Sequence, residues 1–151
     1  MEKIKLHDKT FKVMIPASEI DAAVERVAKQ LDERYKGRTP IFLGVLSGSF
    51  LFLSDLVRKI SFNSQVAFVK ISSYEGTESS GEVKQQLGID FDIEGRDVII
   101  VEDIVETGHS MNYLLDYLKR RKPASISICT LFFKPEKFLY EYEIDYTALS
   151  I

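Results

Sequence analysis

Twice along this chain a mostly apolar run gives way to a segment whose apolar residues recur at helical spacing, and a second apolar run follows. Pro40–Leu46 precedes Phe50, Leu53, Val57 and Ile60, and Val66–Ser72 comes next. Val98–Val101 precedes Met111, Leu114, Leu115 and Leu118; Pro123 then stops the helical pattern and Ser125–Phe133 follows. Strands that do not alternate apolar with polar residues are buried on both faces, and strands joined through helices run parallel. The expected fold class is therefore α/β: a mostly parallel twisted sheet flanked by helices, with right-handed crossovers. Ahead of this repeat, Ile4, Leu6, Phe11, Val13 and Ile15 surround His7–Thr10, which predicts a short N-terminal hairpin. A first helix is expected to open near Pro16–Ser18, to carry Ile20, Ala23, Val24, Val27 and Leu31, and to end before Gly37. Tyr142, Ile144, Tyr146 and Ala148 alternate like a last strand. No linker, repeat or low-complexity stretch divides the chain, so residues 1–151 are expected to form a single domain.

Composition narrows the classes of function. The 45% hydrophobic and 28% charged content suits a soluble globular protein, and a formal net charge of -3 argues against a nucleic-acid or anionic-membrane surface. The basic run Lys119-Arg120-Arg121-Lys122 reads as a solvated helix end favoured by the helix dipole. No apolar run reaches the length of a membrane span, and charged Met1–Lys5 lacks the apolar stretch of a signal peptide. The single cysteine, Cys129, lies in an apolar run and reads as a core residue; a reducing cytoplasm is the expected setting.

In sheets of this kind ligands bind beyond the carboxyl ends of the strands. That directs attention to Ser47–Ser49, Ser73–Lys84, Glu102–Ser110 and Lys134–Lys137. In the third of these, Glu102 and Asp103 follow directly on a buried strand, Glu106 comes three residues later, and Thr107-Gly108-His109-Ser110 opens a helix. Backbone N–H groups at a helix start attract phosphate, glycine permits close approach, and Thr107 and Ser110 add hydroxyl donors. Carboxylates beside a phosphate cradle repel the phosphate unless they face something else. Ribose hydroxyls and Mg2+ are two such partners, and a sugar phosphate with a metal satisfies both halves of the segment. A helix cap alone would account for Ser110 but not for the acidic pair.

This run resembles the phosphoribosyl-pyrophosphate motif of type I phosphoribosyltransferases: two acidic residues, two aliphatics, an acidic residue, Thr/Ser, Gly, any residue, Thr/Ser. The wider chain is similar to bacterial hypoxanthine phosphoribosyltransferases from its N-terminal hairpin onward. Gly44–Phe50 resembles the family's pyrophosphate-binding loop, Ser73-Tyr74-Glu75-Gly76-Thr77 the start of its mobile lid, and Lys134-Pro135 the site of its base-recognition lysine. The resemblance implies purine salvage: a 5-phosphoribosyl group passes from phosphoribosyl pyrophosphate to hypoxanthine or guanine. By position, Glu102 and Asp103 would contact the ribose hydroxyls and the Mg2+ shell. Ile104 falls within the same substrate-contacting run, and Thr107, Gly108, His109 and Ser110 would hold the 5′-phosphate. Ser47 and Gly48 would contact pyrophosphate across a peptide that is often cis in the family. Ser73 and Tyr74 would belong to the lid, Lys134 would donate to the exocyclic oxygen of a 6-oxopurine, and Glu106 would shuttle the proton at the purine imidazole. A surface hairpin would share the lid's composition, and a lysine at the end of an apolar strand can also snorkel to solvent. The family further implies a homo-oligomer, dimer or tetramer.

Two departures stand out. Glu106 occupies a position where the family usually has Asp, one methylene shorter. The chain also stops at Ile151, ahead of the segment that in the family supplies an aromatic stack on the purine, backbone contacts to the base, and further metal and pyrophosphate contacts. The expectation is either a shortened chain or a reduced protein with impaired base binding. The rival reading is a regulator of the same fold, like those of pyrimidine operons, that binds phosphoribosyl pyrophosphate or a nucleotide without turnover.

Overall fold

The structure, a computed structural model, describes residues 3–74 and 82–151. A two-stranded antiparallel hairpin, β1 (Lys3–Leu6) with β2 (Lys9–Lys12), precedes the main body. There α1 (Ala17–Tyr35) leads into β3 (Ile41–Leu46), α2 (Phe50–Val57), β4 (Gln65–Tyr74) and β5 (Glu82–Leu87). β6 (Asp97–Val105), α3 (His109–Lys119), β7 (Ser125–Phe133) and β8 (Tyr146–Ser150) complete it. The six-stranded sheet has the order β5-β4-β3-β6-β7-β8; β5 pairs antiparallel to β4 and every other pairing is parallel.

At the centre of the sheet the two faces are covered as the apolar runs demand, whereas Val66 and Phe68 of β4 remain exposed. Along β6, Ile99 and Val101 join the core formed with α1 and α2, while Val98 and Ile100 join the core formed with α3, and all four are fully buried. Successive side chains of a strand point to opposite faces, so a strand that is apolar at every position must be sandwiched. Helix α1 starts after Pro16, whose carbonyl accepts the Glu19 and Ile20 amides at 3.0 and 3.2 Å, and it ends where Gly37 takes φ +78°. Helix α2 departs from expectation. It buries Phe52, Leu53 and Leu56, leaves Phe50 54% exposed, and stops before Ile60. Val57 and Ile60 pack, partly buried, against the same core as expected, and ahead of the helix Ser49 is fully buried and donates its hydroxyl to the Val45 carbonyl at 2.7 Å.

The strand order locates the site. From β3 the chain crosses to β4 on one side; from β6 it crosses to β7 on the other. The neighbouring strands β3 and β6 therefore send their following loops in opposite directions, which leaves a crevice at their carboxyl ends. The pairing deepens it. β3 pairs with β6 only as far as Gly44 with Val101, whereas β6 stays paired with β7 out to Val105 with Phe133. Residues 102–105 are thus strand on one edge and open on the other, not the loop expected beyond Val101.

Candidate active site

The open edge of β6 faces the turn that follows β3. At Gly48 an added Cβ would lie 2.3 Å from Asp103 Oδ2 and 2.7 Å from its Cγ, so the Asp103 carboxylate sits directly against the glycine backbone. Two motifs far apart in sequence meet there. The cis peptide lies one bond earlier than expected, at Leu46–Ser47 instead of Ser47–Gly48. Ser47 and Gly48 are both exposed. Asp103 Oδ1 accepts the Ile104 amide at 2.8 Å, and Glu102 Oε1 accepts the Asp103 amide at 3.1 Å. Burial, followed by the hydrogen bond and charge of Asp103, pushes the Glu102 carboxyl well above the usual carboxylate range. An incoming cation or hydroxyl donor would reverse that effect.

Beyond the acidic pair the chain turns into α3 through a left-handed Gly108, φ +92°. Glu102 through Met111 line a cleft of about 290 Å³, with Thr107, His109 and Ser110 partly exposed in it. The His109 amide reaches Thr107 Oγ1 at 3.4 Å, and the Asn112 amide bonds the Gly108 carbonyl at 2.8 Å as the first turn of α3. Ile104, half-buried between the two acidic positions, continues the pairing with β7 at Phe132.

Glu106 and Lys134 come together, Nζ to Oε1 at 3.0 Å, placed by the adjacent ends of β6 and β7, where the Lys134 amide bonds the Val105 carbonyl at 3.0 Å. The hydrogen bond and charge of Lys134 hold the Glu106 carboxyl below its usual range. Ser73 and Tyr74 end β4, which runs parallel to β3 and so finishes on the same edge of the sheet. The rest of the expected lid, 75–81, lies outside the described residues.

A model of the phosphoribosyl transferase domain matches residues 16–151. The chain belongs to the phosphoribosyltransferase family. It is 41% identical over 141 residues to the hypoxanthine-guanine phosphoribosyltransferase of Streptococcus pyogenes, covering 93% of this chain and 78% of that one. Among solved structures, the hypoxanthine phosphoribosyltransferase of Staphylococcus aureus superposes with a TM-score of 0.87 at 35% identity, over 93% of this chain and 77% of that one. The hypoxanthine phosphoribosyl transferase of Trypanosoma cruzi superposes with a TM-score of 0.88 at 31% identity, over 98% and 82% of the two chains.

One part of this phosphoribosyltransferase site escaped sequence reasoning. The space that a side chain at Gly108 would take is filled by aromatic groups: Tyr142 Oη at 2.6 Å, Phe138 Cε1 at 2.7 Å and Tyr140 Cδ2 at 3.0 Å. The glycine is needed there for packing against the segment before β8, not solely for approach to a ligand. Tyr142 and Ile144 lie ahead of β8, which begins at Tyr146. The available signal was the recurrence of Phe138, Tyr140 and Tyr142 at every second position.

Proposed function

We propose that this phosphoribosyltransferase moves the 5-phosphoribosyl group of phosphoribosyl pyrophosphate onto hypoxanthine or guanine, releasing pyrophosphate and the purine mononucleotide. The observation that carries the reading is the meeting of the Ser47–Gly48 turn with Asp103 at the strand-order switch, beside the Thr107–Ser110 helix start. Similarity to the named hypoxanthine-guanine enzymes supports the choice of base.

In this reading the 5′-phosphate sits on the Thr107–Ser110 amides and hydroxyls, the ribose hydroxyls donate to Glu102 and Asp103, and Ser47 and Gly48 meet the pyrophosphate. The C1–oxygen bond breaks with its electron pair leaving on pyrophosphate, and a purine imidazole nitrogen donates the pair that forms the new C1–N bond. Glu106, a carboxylate that Lys134 holds ionised to still lower pH, accepts the imidazole proton. The exocyclic oxygen and the neighbouring imidazole nitrogen of a 6-oxopurine lie side by side on one edge. That edge matches a donor and an acceptor held 3.0 Å apart, so Lys134 turns to the oxygen and Glu106 to the nitrogen. Losing its lysine partner raises the basicity of Glu106 as the base arrives.

The carboxylates Glu102 and Asp103 suit Mg2+, a hard cation commonly held by one or two carboxylates plus substrate oxygens. Among the described residues no cluster of three or more His, Cys, Asp or Glu could hold a metal alone, so phosphoribosyl pyrophosphate would complete the shell. When bound, the ion neutralises charge on the pyrophosphate leaving group.

A cytoplasmic location is part of this proposal; among the described residues no helix is long and apolar enough to cross a membrane. Assembly into a dimer or tetramer accords with the exposure of Phe50 and Leu51 on α2 and Phe68 on β4; sedimentation checks it. The activity is tested by incubating the protein with hypoxanthine, phosphoribosyl pyrophosphate and Mg2+ and assaying inosine monophosphate. Tight binding of phosphoribosyl pyrophosphate without product would instead make the chain a non-catalytic binder of the same fold.

A further inference from the structure

Three consecutive residues of the phosphate loop are each tied to the segment that precedes β8. The Leu139 amide donates to the Thr107 carbonyl at 3.0 Å. The Tyr142 hydroxyl donates to the Gly108 carbonyl at 2.6 Å. Tyr140 Oη lies 2.6 Å from His109 Nδ1. The segment is itself anchored. Phe138 meets Phe133 of β7 edge-on at 5.2 Å and Tyr142 edge-on at 5.1 Å, and Tyr140 stacks on Tyr142 at 5.5 Å. Phe138, Tyr142 and Ile144 pack onto the core beneath α3.

We propose that Tyr142 and Tyr140 are positioning residues, a strap that aims the loop amides at the 5′-phosphate. The inference rests on the reading above that Thr107–Ser110 hold that phosphate. A trans peptide is planar, with its C=O and the following N–H pointing in opposite directions. Fixing the Thr107 carbonyl on Leu139 turns the Gly108 N–H away from the strap. The Gly108 carbonyl accepts both the Asn112 amide of α3, at 2.8 Å, and the Tyr142 hydroxyl; held by the two together, it turns the His109 N–H the same way, where that N–H meets Thr107 Oγ1 at 3.4 Å. A phosphate oxygen arriving there replaces the hydroxyl without a change in the backbone, so the cost of orienting the donors is met in folding and not on binding. Burial, and secondarily Tyr140, pushes the Tyr142 phenol up, so its proton stays in place to donate at neutral pH.

Tyr142→Phe and Tyr140→Phe delete the hydroxyls and keep the rings. Affinities for phosphoribosyl pyrophosphate and for pyrophosphate, each with Mg2+, are measured by calorimetry together with Tm. Pyrophosphate reports on the Ser47–Gly48 side alone. The Tyr142→Phe variant should bind phosphoribosyl pyrophosphate about 5–10-fold more weakly, with pyrophosphate affinity unchanged: the bond is made with and without ligand, so what the affinity loses is the cost of re-ordering the released loop, at most about what that bond contributed to holding it. Tyr140→Phe should act in the same direction. Equal weakening of both ligands with a lowered Tm would make the tyrosines merely structural and overturn the strap. Ser110→Ala separates the two levels of the argument. If it weakens phosphoribosyl pyrophosphate and neither tyrosine variant does, the strap is refuted and the phosphate loop stands. If Ser110→Ala has no effect either, the loop does not hold the phosphate, and both readings fall.

Discussion

Replacing Gly48 with Ala tests whether the contact between the β3 turn and Asp103 is the working part of the site. The new Cβ would lie 2.3 Å from Asp103 Oδ2. An ordinary van der Waals contact needs about 3.5 Å, so the carboxylate or the turn must move by about 1 Å. The carboxylate is a short side chain, but it is held by the Ile104 amide at 2.8 Å, and swinging it away sacrifices that bond. One such hydrogen bond contributes about 1 kcal/mol, so the loss of stability should be small. The loss of function should be larger: a displacement of about 1 Å at a reacting site can cost about 10²-fold, equivalent to about 2.7 kcal/mol. Steady-state kcat/KM for phosphoribosyl pyrophosphate, measured beside Tm, separates the two. A double-mutant cycle adds the decisive arm: in an Asp103→Ala background the clash is gone, so Gly48→Ala should cost little further activity. Wild-type kcat/KM for the Gly48→Ala protein would refute the argument, as would full additivity of the two substitutions.

Glu106→Gln should lower kcat by about 10²–10⁴-fold while phosphoribosyl-pyrophosphate affinity, read by calorimetry, stays near wild type. Glu106→Asp should retain activity or improve it, which the same kinetics check. Because Lys134 holds the Glu106 carboxyl below its usual range, Lys134→Met should move its titration upward, read from the side-chain carboxyl 13C shift against pH. Glu102 titrates in the opposite sense: its folded pKa is raised, so the native state binds more protons than the unfolded one. Stability should therefore fall as pH rises from the ordinary carboxylate range through the raised value, and Glu102→Gln should remove that slope in Tm-against-pH curves. Gly108→Ala should lose thermal stability as well as substrate affinity. Its φ of +92° disfavours any side chain by about 1–2 kcal/mol, and the Cβ would strike Tyr142 and Phe138; thermal melts and calorimetry report the two losses.

Much of the layered fold is legible from local pattern alone. Apolar runs such as Ser125–Phe133 and the helical recurrence of Met111, Leu114, Leu115 and Leu118 follow from periodicities of two and 3.6 residues, which need no knowledge of neighbours. The acidic pair and the Thr107–Ser110 helix start are equally visible, because they are residue types at fixed short spacings, whereas Lys134 stands out mainly through the family resemblance.

What the tertiary structure alone decided are relations between segments. The sequence ends the apolar run of β6 at Val101, but pairing with β7 carries the strand on to Val105, since a ladder satisfies the backbone whatever the side chains are. On α2 the expected Leu53, Val57 and Ile60 do meet the core, but Phe52 and Leu56 are buried with them while Phe50 is left exposed, a choice of neighbours that spacing alone does not make. Gly48 against Asp103, Glu106 against Lys134, and Tyr142 against Gly108 each join residues far apart in the chain. No local propensity encodes such approaches. They exist because the order of strands in the sheet brings those loops to one edge, and that order is settled by which buried faces fit together, not by any one segment.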